Sequence, residues 1–447
     1  MSAAGAPAGR ATAGEGGMLR ALGVFGLAAS IVNITIGGGI FRLPSSPEVA
    51  GRLGAAAPIA YLVCAIAMAL IVMCFAEAGS RVSLTGGPYA YVEIAFGPLA
   101  GFLVGVLLWL TGITAMSAVA TIFGDNVARL VPALEPRAAR IAMLGVVFLA
   151  LAAVNVRGVR QGARLNTLST VVKLAPLLLL AVAGVFAIEP ANLQWTAAPA
   201  ASDVTRASIF LIFAFAGIES ALVPSGEVRD PARTVPRAVF LAMGVVTLLY
   251  IVLHLVAQGT LGSALVGSAT PLADAAGRVL GGWGAALLSF GVVLSTFGYL
   301  SGMTLATPRS LYAFARDGFL PAALASVHPR FHTPHVAVIV QVTLAFLLAS
   351  TNGFEALAIV ANVAALLVYL ACALAAWQLR RRNVQAGGTP FHVPGGAVAP
   401  WLASAVILVL LSSITMREWA VLAIVLGIAL GVYWVARGGQ RAARGAA

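Results

Sequence analysis

Charge is what this sequence has least of. Only 9% of its 447 residues are Asp, Glu, Lys or Arg, while 60% are hydrophobic. A soluble chain of that length keeps a large polar exterior in water, so this composition excludes an ordinary soluble domain. Lysine is almost missing: Lys173 is the single lysine among 27 basic residues, and the other 26 are arginines. Cysteine is scarce too. Cys64, Cys74 and Cys372 all fall inside apolar stretches, with neither a disulfide framework nor metal-ligand spacing, and read as small packing residues. The five histidines also lack ligand spacing, and no GxSxG, Walker or paired-carboxylate pattern occurs. An enzyme is therefore the weaker reading, and nothing in the chain asks for a metal or a cofactor. The opening 18 residues lack an apolar core, which argues against a cleaved signal peptide.

Long apolar runs are what the chain has instead. A bilayer core needs about 20 consecutive apolar residues per helix. About twelve such stretches occur, near 21–44, 55–77, 92–118, 139–157, 166–188, 206–227, 235–257, 281–306, 334–350, 355–378, 399–416 and 418–436. The expected class is an all-α integral membrane protein with the lipid bilayer as its solvent. The net charge of +12 supports this, because its distribution follows topology. With a cytoplasmic N-terminus, 18 arginines fall inside and 8 fall outside or near the outer end. That excess puts both termini in the cytoplasm and makes a nucleic-acid partner unnecessary. A multi-pass protein of the cell (inner) membrane is expected. Its parts are a cytoplasmic tail (1–18), a core (19–378), a basic Gly/Pro-rich cytoplasmic linker (379–396), two additional helices (397–436) and a second tail (437–447). An outer loop with a short helix after Pro271 is expected over 258–280.

Two of the apolar stretches are interrupted. Gly37-Gly38-Gly39 sits inside the first, between Ile36 and Ile40. Each interior glycine costs about 1 kcal/mol relative to alanine, so the helix is expected to open there. Close helix packing is the bland alternative. In the sixth stretch, Ala216-Gly217-Ile218-Glu219-Ser220 breaks the run with a glycine, a carboxylate and a hydroxyl. Broken helices at matching places in two halves point to a mid-membrane transport site. An opened helix frees N–H groups at one end and carbonyls at the other, which suit a carboxylate and an ammonium respectively. A zwitterionic α-amino acid carries both.

Lys173 lies within the fifth stretch. An ionisable group at that depth is a functional hypothesis by default. The alternative is a side chain snorkelling to the interface, nine residues and about 13 Å from Arg164. Buried lysine, unlike arginine, can lose its proton near neutral pH. Glu219 reads equally as a titrating or cation-accepting group and as an acceptor for freed backbone amides. Glu77, Glu93 and Glu227 read as interfacial or gate ion-pair residues, and Asp125 as an outer charge or a cap. His254, alone in an apolar run, reads as a hydrogen-bonded packing residue.

With these residues the sequence resembles the amino acid–polyamine–organocation superfamily of permeases. The resemblance rests on four segments in order: Gly37–Phe41; Phe75–Arg81 running into Thr85–Tyr91; Phe213–Glu219 followed by Gly226–Pro236; and Ala315–Pro321. It implies a leucine-transporter-like fold, with five helices (about 19–188), an inverted repeat of five (about 206–378) and two extra helices. By that resemblance, the amides of Gly37, Gly38 and Gly39 would bind a substrate carboxylate. Carbonyls near Thr35, Ile36, Phe213 and Ala216, beside Gly217, would bind its amino group. Phe213 would be an aromatic gate, and Met303 would line the pocket. Lys173 matches a lysine that in some members replaces a bridging sodium ion, with Ser295 and Thr296 as its neighbours. Gly38 stands where many relatives carry Ser or Thr, and Ile218 and Asp230 replace a commoner aromatic and asparagine. The expectation is an amino acid transporter working by alternating access, with Lys173 and Glu219 as the candidates for proton coupling. Amino acid or polyamine exchange and a non-translocating receptor are the alternatives. Side-chain specificity and oligomeric state are not legible.

Overall fold

A computed structural model describes residues 23–82, 88–157, 162–195, 198–217, 231–385 and 390–445. Regular structure among them is helical throughout: α1 (Val24–Thr35), α2 (Gly38–Arg42), α3 (Ala57–Arg81), α4 (Pro88–Phe96), α5 (Pro98–Leu130), α6 (Arg137–Arg157), α7 (Gly162–Val185), α8 (Ala201–Phe215), α9 (Pro231–Leu261), α10 (Pro271–Leu280), α11 (Gly282–Ala306), α12 (Pro308–Arg316), α13 (His335–Thr351), α14 (Phe354–Arg381), α15 (Val398–Leu411) and α16 (Met416–Gly445). Prolines open α4, α5, α9, α10 and α12, where the missing N–H has no intrahelical partner to lose. The expected short helix after Pro271 is α10.

Seven of these helices, with flanking turns, are long and apolar enough to cross a membrane, and α1 with α2 makes an eighth if the bent pair is one span. The remaining predicted stretches coincide with shorter apolar helices or with a helix that stops mid-run, so length alone does not count them as spans. The stretch expected near 92–118 is displaced: the chain turns at Gly97, and the long helix continues to Leu130. Multi-pass membrane character follows from these spans and from where their side chains point. Val146 and Leu149 on α6, Val182 on α7 and Leu248 on α9 are all exposed by more than 60%, which suits lipid and not water.

α14 is the central helix. It packs against α3, α4, α5, α8 and α15, and it is the most enclosed of the seven spans. α9 packs on α1, α3, α7 and α10. Buried polar groups tie the layers together. Trp109 on α5 donates to Gln341 on α13 at 2.8 Å, and Ser117 on α5 donates to Ala345 O at 3.1 Å. Asn362 on α14 donates to Ile209 O on α8 at 2.7 Å.

Ion pairs gather at the helix ends. At the C-terminal end of α3, the wholly buried Glu77 accepts from Arg81 Nε at 3.1 Å, Arg380 Nε at 2.7 Å and the Val393 N–H at 3.2 Å. Ser80 Oγ accepts the Phe391 N–H at 2.9 Å, so the segment after α14 is strapped across this end. Phe391 and Val393 fill the gap against Met73 and Ala399. Glu77 thus proves to be an ion-pair residue, and Asp125 pairs with Arg140. Breaking a buried pair on one side leaves an uncompensated charge and costs about 3–5 kcal/mol. Glu77→Ala is therefore expected to lower the melting temperature of the purified protein sharply. Arg316→Ala, which removes a largely exposed pair with Asp317, should barely move it. Equal melting shifts for the two variants would show that the Glu77 junction carries no special stability.

Candidate functional site

The first break is a local turn with defined geometry. Ile36 adopts φ −73°, ψ 82°, and the Gly37 N–H donates to Thr35 O at 2.8 Å. That is an inverse γ-turn, the tightest reversal open to an L-residue. The chain then leaves helical space at Gly37 (φ −118°, ψ −152°) and re-enters it at Gly38. The two helical pieces are inclined by 47°. The opening expected at the glycine triplet is present. It frees the last carbonyls of α1 and the first amides of α2.

The second break follows α8. Ala216 is extended (φ −65°, ψ 152°) after its N–H closes the last turn on Ile212 O at 2.8 Å. Gly217 turns at φ +102°, a conformation glycine takes at no steric cost. Ile218, Glu219 and Asp230 lie outside the described residues, so the structure places none of them.

The two breaks meet. A Cβ on Gly39 would stand 2.7 Å from Ala214 Cα and 2.9 Å from Ala214 N, so the backbone of α2 lies directly on the last turn of α8. A Cβ on Gly38 would meet only side-chain tips, Val119 Cγ2 at 2.8 Å and Ile122 Cδ1 at 3.3 Å on α5. Any side chain at position 38 fits only if Val119 shifts, a smaller demand than the backbone contact at Gly39.

Tyr250 on α9 joins the pair. Its fully buried hydroxyl lies 3.0 Å from Thr35 O and 2.9 Å from Ala214 O, in the final turns of α1 and α8. Two carbonyl oxygens converging in an apolar interior repel each other, and one O–H proton shared between them offsets that repulsion. Phe215 packs edge-on to the Tyr250 ring at 5.3 Å and holds it in place. Sequence reasoning missed Tyr250. Its signal was the polar spacing Thr247, Tyr250, His254 along one face of an otherwise apolar helix.

The other expected residues are distributed around this junction. Phe213 is half-buried, its ring edge-on to Phe354 at the start of α14, with centroids 5.5 Å apart. Ser295 and Thr296 are buried on α11, and Thr296 Oγ1 donates to Val292 O at 2.7 Å. Met303 packs against Gly112 of α5. That is seven residues along α5 from Val119, or about 10 Å from the level of Gly38. Lys173 falls on α7, which packs against α9 and α11, but its side chain lies outside the described residues.

One side of the junction is covered. Arg42, ending α2, donates to Ser268 O at 2.9 Å and pairs with Glu355 of α14 at 3.2 Å. Ser45 Oγ donates to the same Ser268 carbonyl at 2.7 Å, and the Gly267 N–H donates back to Ser45 O at 2.9 Å. The segment before α10 therefore lies over the end of α2. Arg129 holds it from below through Asp274, which accepts Ser268 Oγ at 2.5 Å.

Comparison with known proteins agrees with this architecture. The family model described as amino acid permease matches residues 22–441. The chain belongs to that family. It is 28% identical over 428 residues to the methylthioribose transporter of Bacillus subtilis (strain 168), covering 93% of this chain and 92% of that protein. It is 28% identical over 411 residues to the branched-chain amino acid permease BcaP of the same organism, with 88% of each covered. It is also 28% identical over 381 residues to that organism's serine/threonine exchanger SteT, covering 82% of this chain and 85% of the exchanger. These relatives are permeases, exchangers and transporters.

The geometry separates two neighbouring glycines. Gly39→Ala drives a methyl group into backbone, an overpacking that costs typically 1–3 kcal/mol. It should lower the melting temperature and cut uptake at least tenfold, while Gly38→Ala should retain most of both. Uptake and melting curves on the two variants check this, and the reverse order of severity would contradict the packing described.

Proposed function

We propose that this permease is a secondary amino acid transporter whose substrate binds across the two helix breaks. The observation that carries the reading is their convergence, with α2 in backbone contact with α8 at Gly39–Ala214 and the ends of α1 and α8 held by one hydroxyl. Around it, the amides of Gly37, Gly38 and Gly39 face the substrate carboxylate. The carbonyls of Thr35, Ile36, Phe213 and Ala216, with the turn at Gly217, face its ammonium. Each group is a backbone dipole, so recognition needs no charged side chain. Tyr250 supplies the positive end that the carbonyl pair requires before substrate arrives. Phe213 is the aromatic wall that closes on the side chain, with Met303 farther along the pocket.

In this reading about twelve helices span the membrane, with both termini cytoplasmic. One five-helix repeat (19–188) is inverted in a second (206–378), followed by the linker at 379–396 and two further helices at 397–436. The repeats rock against each other, giving alternating access. The Arg42–Glu355–Ser268 cover is the outer closure, and the Glu77 junction lies on the cytoplasmic side. Lys173 gives up and regains a proton during the cycle, beside Ser295 and Thr296, and Glu219 either titrates or anchors the second break. The alternative is obligatory exchange with Lys173 as a fixed cation, a reading favoured by the likeness to a serine/threonine exchanger.

Selective binding stabilises the folded state by mass action, about 2.7 kcal/mol at a hundred times Kd. A thermal-shift panel should therefore show stabilisation by one or more zwitterionic α-amino acids and not by the corresponding amines lacking a carboxylate. Stabilisation by methylthioribose alone would overturn the amino acid assignment, since that molecule carries neither charge of the clamp. In proteoliposomes, Lys173→Ala should abolish uptake driven by a proton gradient while leaving amino acid counterflow. Undiminished concentrative uptake in the variant would remove Lys173 from coupling.

A further inference from the structure

His254 lies one helical turn beyond Tyr250 on α9 and is fully buried. Its Nε2 stands 3.1 Å from Gly54 O. A carbonyl oxygen can only accept, so Nε2 carries the hydrogen and Nδ1 is left as a bare lone pair. Nδ1 has no partner among the described residues, and neither does the hydroxyl of Tyr61, whose ring centroid is 5.6 Å from the imidazole. The Thr247 and Thr35 hydroxyls, either side of Tyr250, are likewise buried without a partner. Native interiors rarely leave such groups unmatched, and four along one seam between α1, α3 and α9 call for a role. Gly54, whose carbonyl the imidazole binds, is half-buried, and a Cβ built on it would meet nothing within 4 Å. The imidazole therefore links a partly exposed turn to a buried polar seam.

We propose that His254 is a proton-binding site opposed to the substrate ammonium. One proton binds the Nδ1 lone pair, forming one N–H bond, and leaves by the reverse step. The resulting imidazolium sits about 6 Å along α9 from Tyr250, whose hydroxyl touches the carbonyls at both breaks. Two positive charges roughly 10 Å apart in a poorly solvated interior change affinity on the order of tenfold. The coupling is reciprocal, so an ammonium entering the clamp expels the proton. The inference rests on the amino acid reading above.

Among the described residues, no neighbouring carboxylate cancels this charge. α1 carries no ionisable side chain, and α3 presents Tyr61 and Cys64. α10 presents Arg278 and Asp274, the latter bound by Arg129. Of the flanking turns, Arg52 is paired with Glu48 and Asp203, and Glu189 accepts from Asn192. α9 itself offers Tyr250 near His254 and its arginines only at the far end. α7 carries Lys173.

The test is proton release on substrate binding, measured in weakly buffered detergent solution with whichever amino acid stabilises the wild-type protein. Release of up to one proton per amino acid bound is expected, with affinity falling about tenfold as pH is lowered through the midpoint of that release. His254→Gln keeps a donor for Gly54 O but cannot bind a proton, so it should bind substrate without release and with a flat pH profile. No release from the wild type, or unchanged release from the variant, which would assign the proton to Lys173, overturns the proposal. Should the glutamine variant not fold, Tyr61→Phe keeps the ring packed near the imidazole and removes its unpartnered hydroxyl. A shifted midpoint supports the proposal, and an unchanged one overturns it. Failure of any amino acid to bind at any pH defeats the parent reading instead.

Discussion

A backbone amide or carbonyl inside a bilayer has no water to fall back on, so a helix that opens mid-membrane must find partners for every group it frees. That constraint governs the centre of this protein. The two openings lie side by side, with the backbone of α2 lying on the last turn of α8. The hydroxyl of Tyr250 then serves carbonyls from both α1 and α8. In the function proposed above, a zwitterion completes the donors and acceptors that the two openings free.

The two ends of the molecule beyond this junction are held together differently. At the end beyond α2, the cover is held by a partly exposed pair, Arg42 with Glu355, and by hydrogen bonds to the Ser268 carbonyl. At the other end, Glu77 is wholly buried and bound by two arginines and a backbone amide. Exposed pairs contribute little and exchange readily with water, whereas a buried, multiply bonded carboxylate is costly to undo. α14 is joined at both ends, firmly at one and loosely at the other. If the helix moves, the Glu77 end is the natural pivot.

Much of this was legible in the residues. Hydrophobic runs announced the helices, and three adjacent glycines announced the first break, because interior glycine is unfavourable enough to need a reason. Glu77 was readable as an ion-pair residue because a lone carboxylate near an apolar run must be neutralised, whereas Asp125, read as an outer charge or a cap, proved to pair with Arg140. The importance of Tyr250 was not, because tyrosine in an apolar helix is ordinary until its partners are known. Nor was the displaced end of α5, since nothing in the run after position 118 distinguishes a helix that stops from one that continues into the interface.

Sequence alone determined the solvent this chain folds in, the places where its helices open and the residues that cannot be charged without cause, since each follows from local composition and the cost of one residue type at one position. Only the tertiary structure decided what those openings meet. Gly39 is required by the backbone of a helix some 175 positions away, and the partners of Thr35 and Ala214 come from a third helix. Such pairings depend on how helices cross in space, and crossing is set by the sum of many side-chain contacts and not by any one segment.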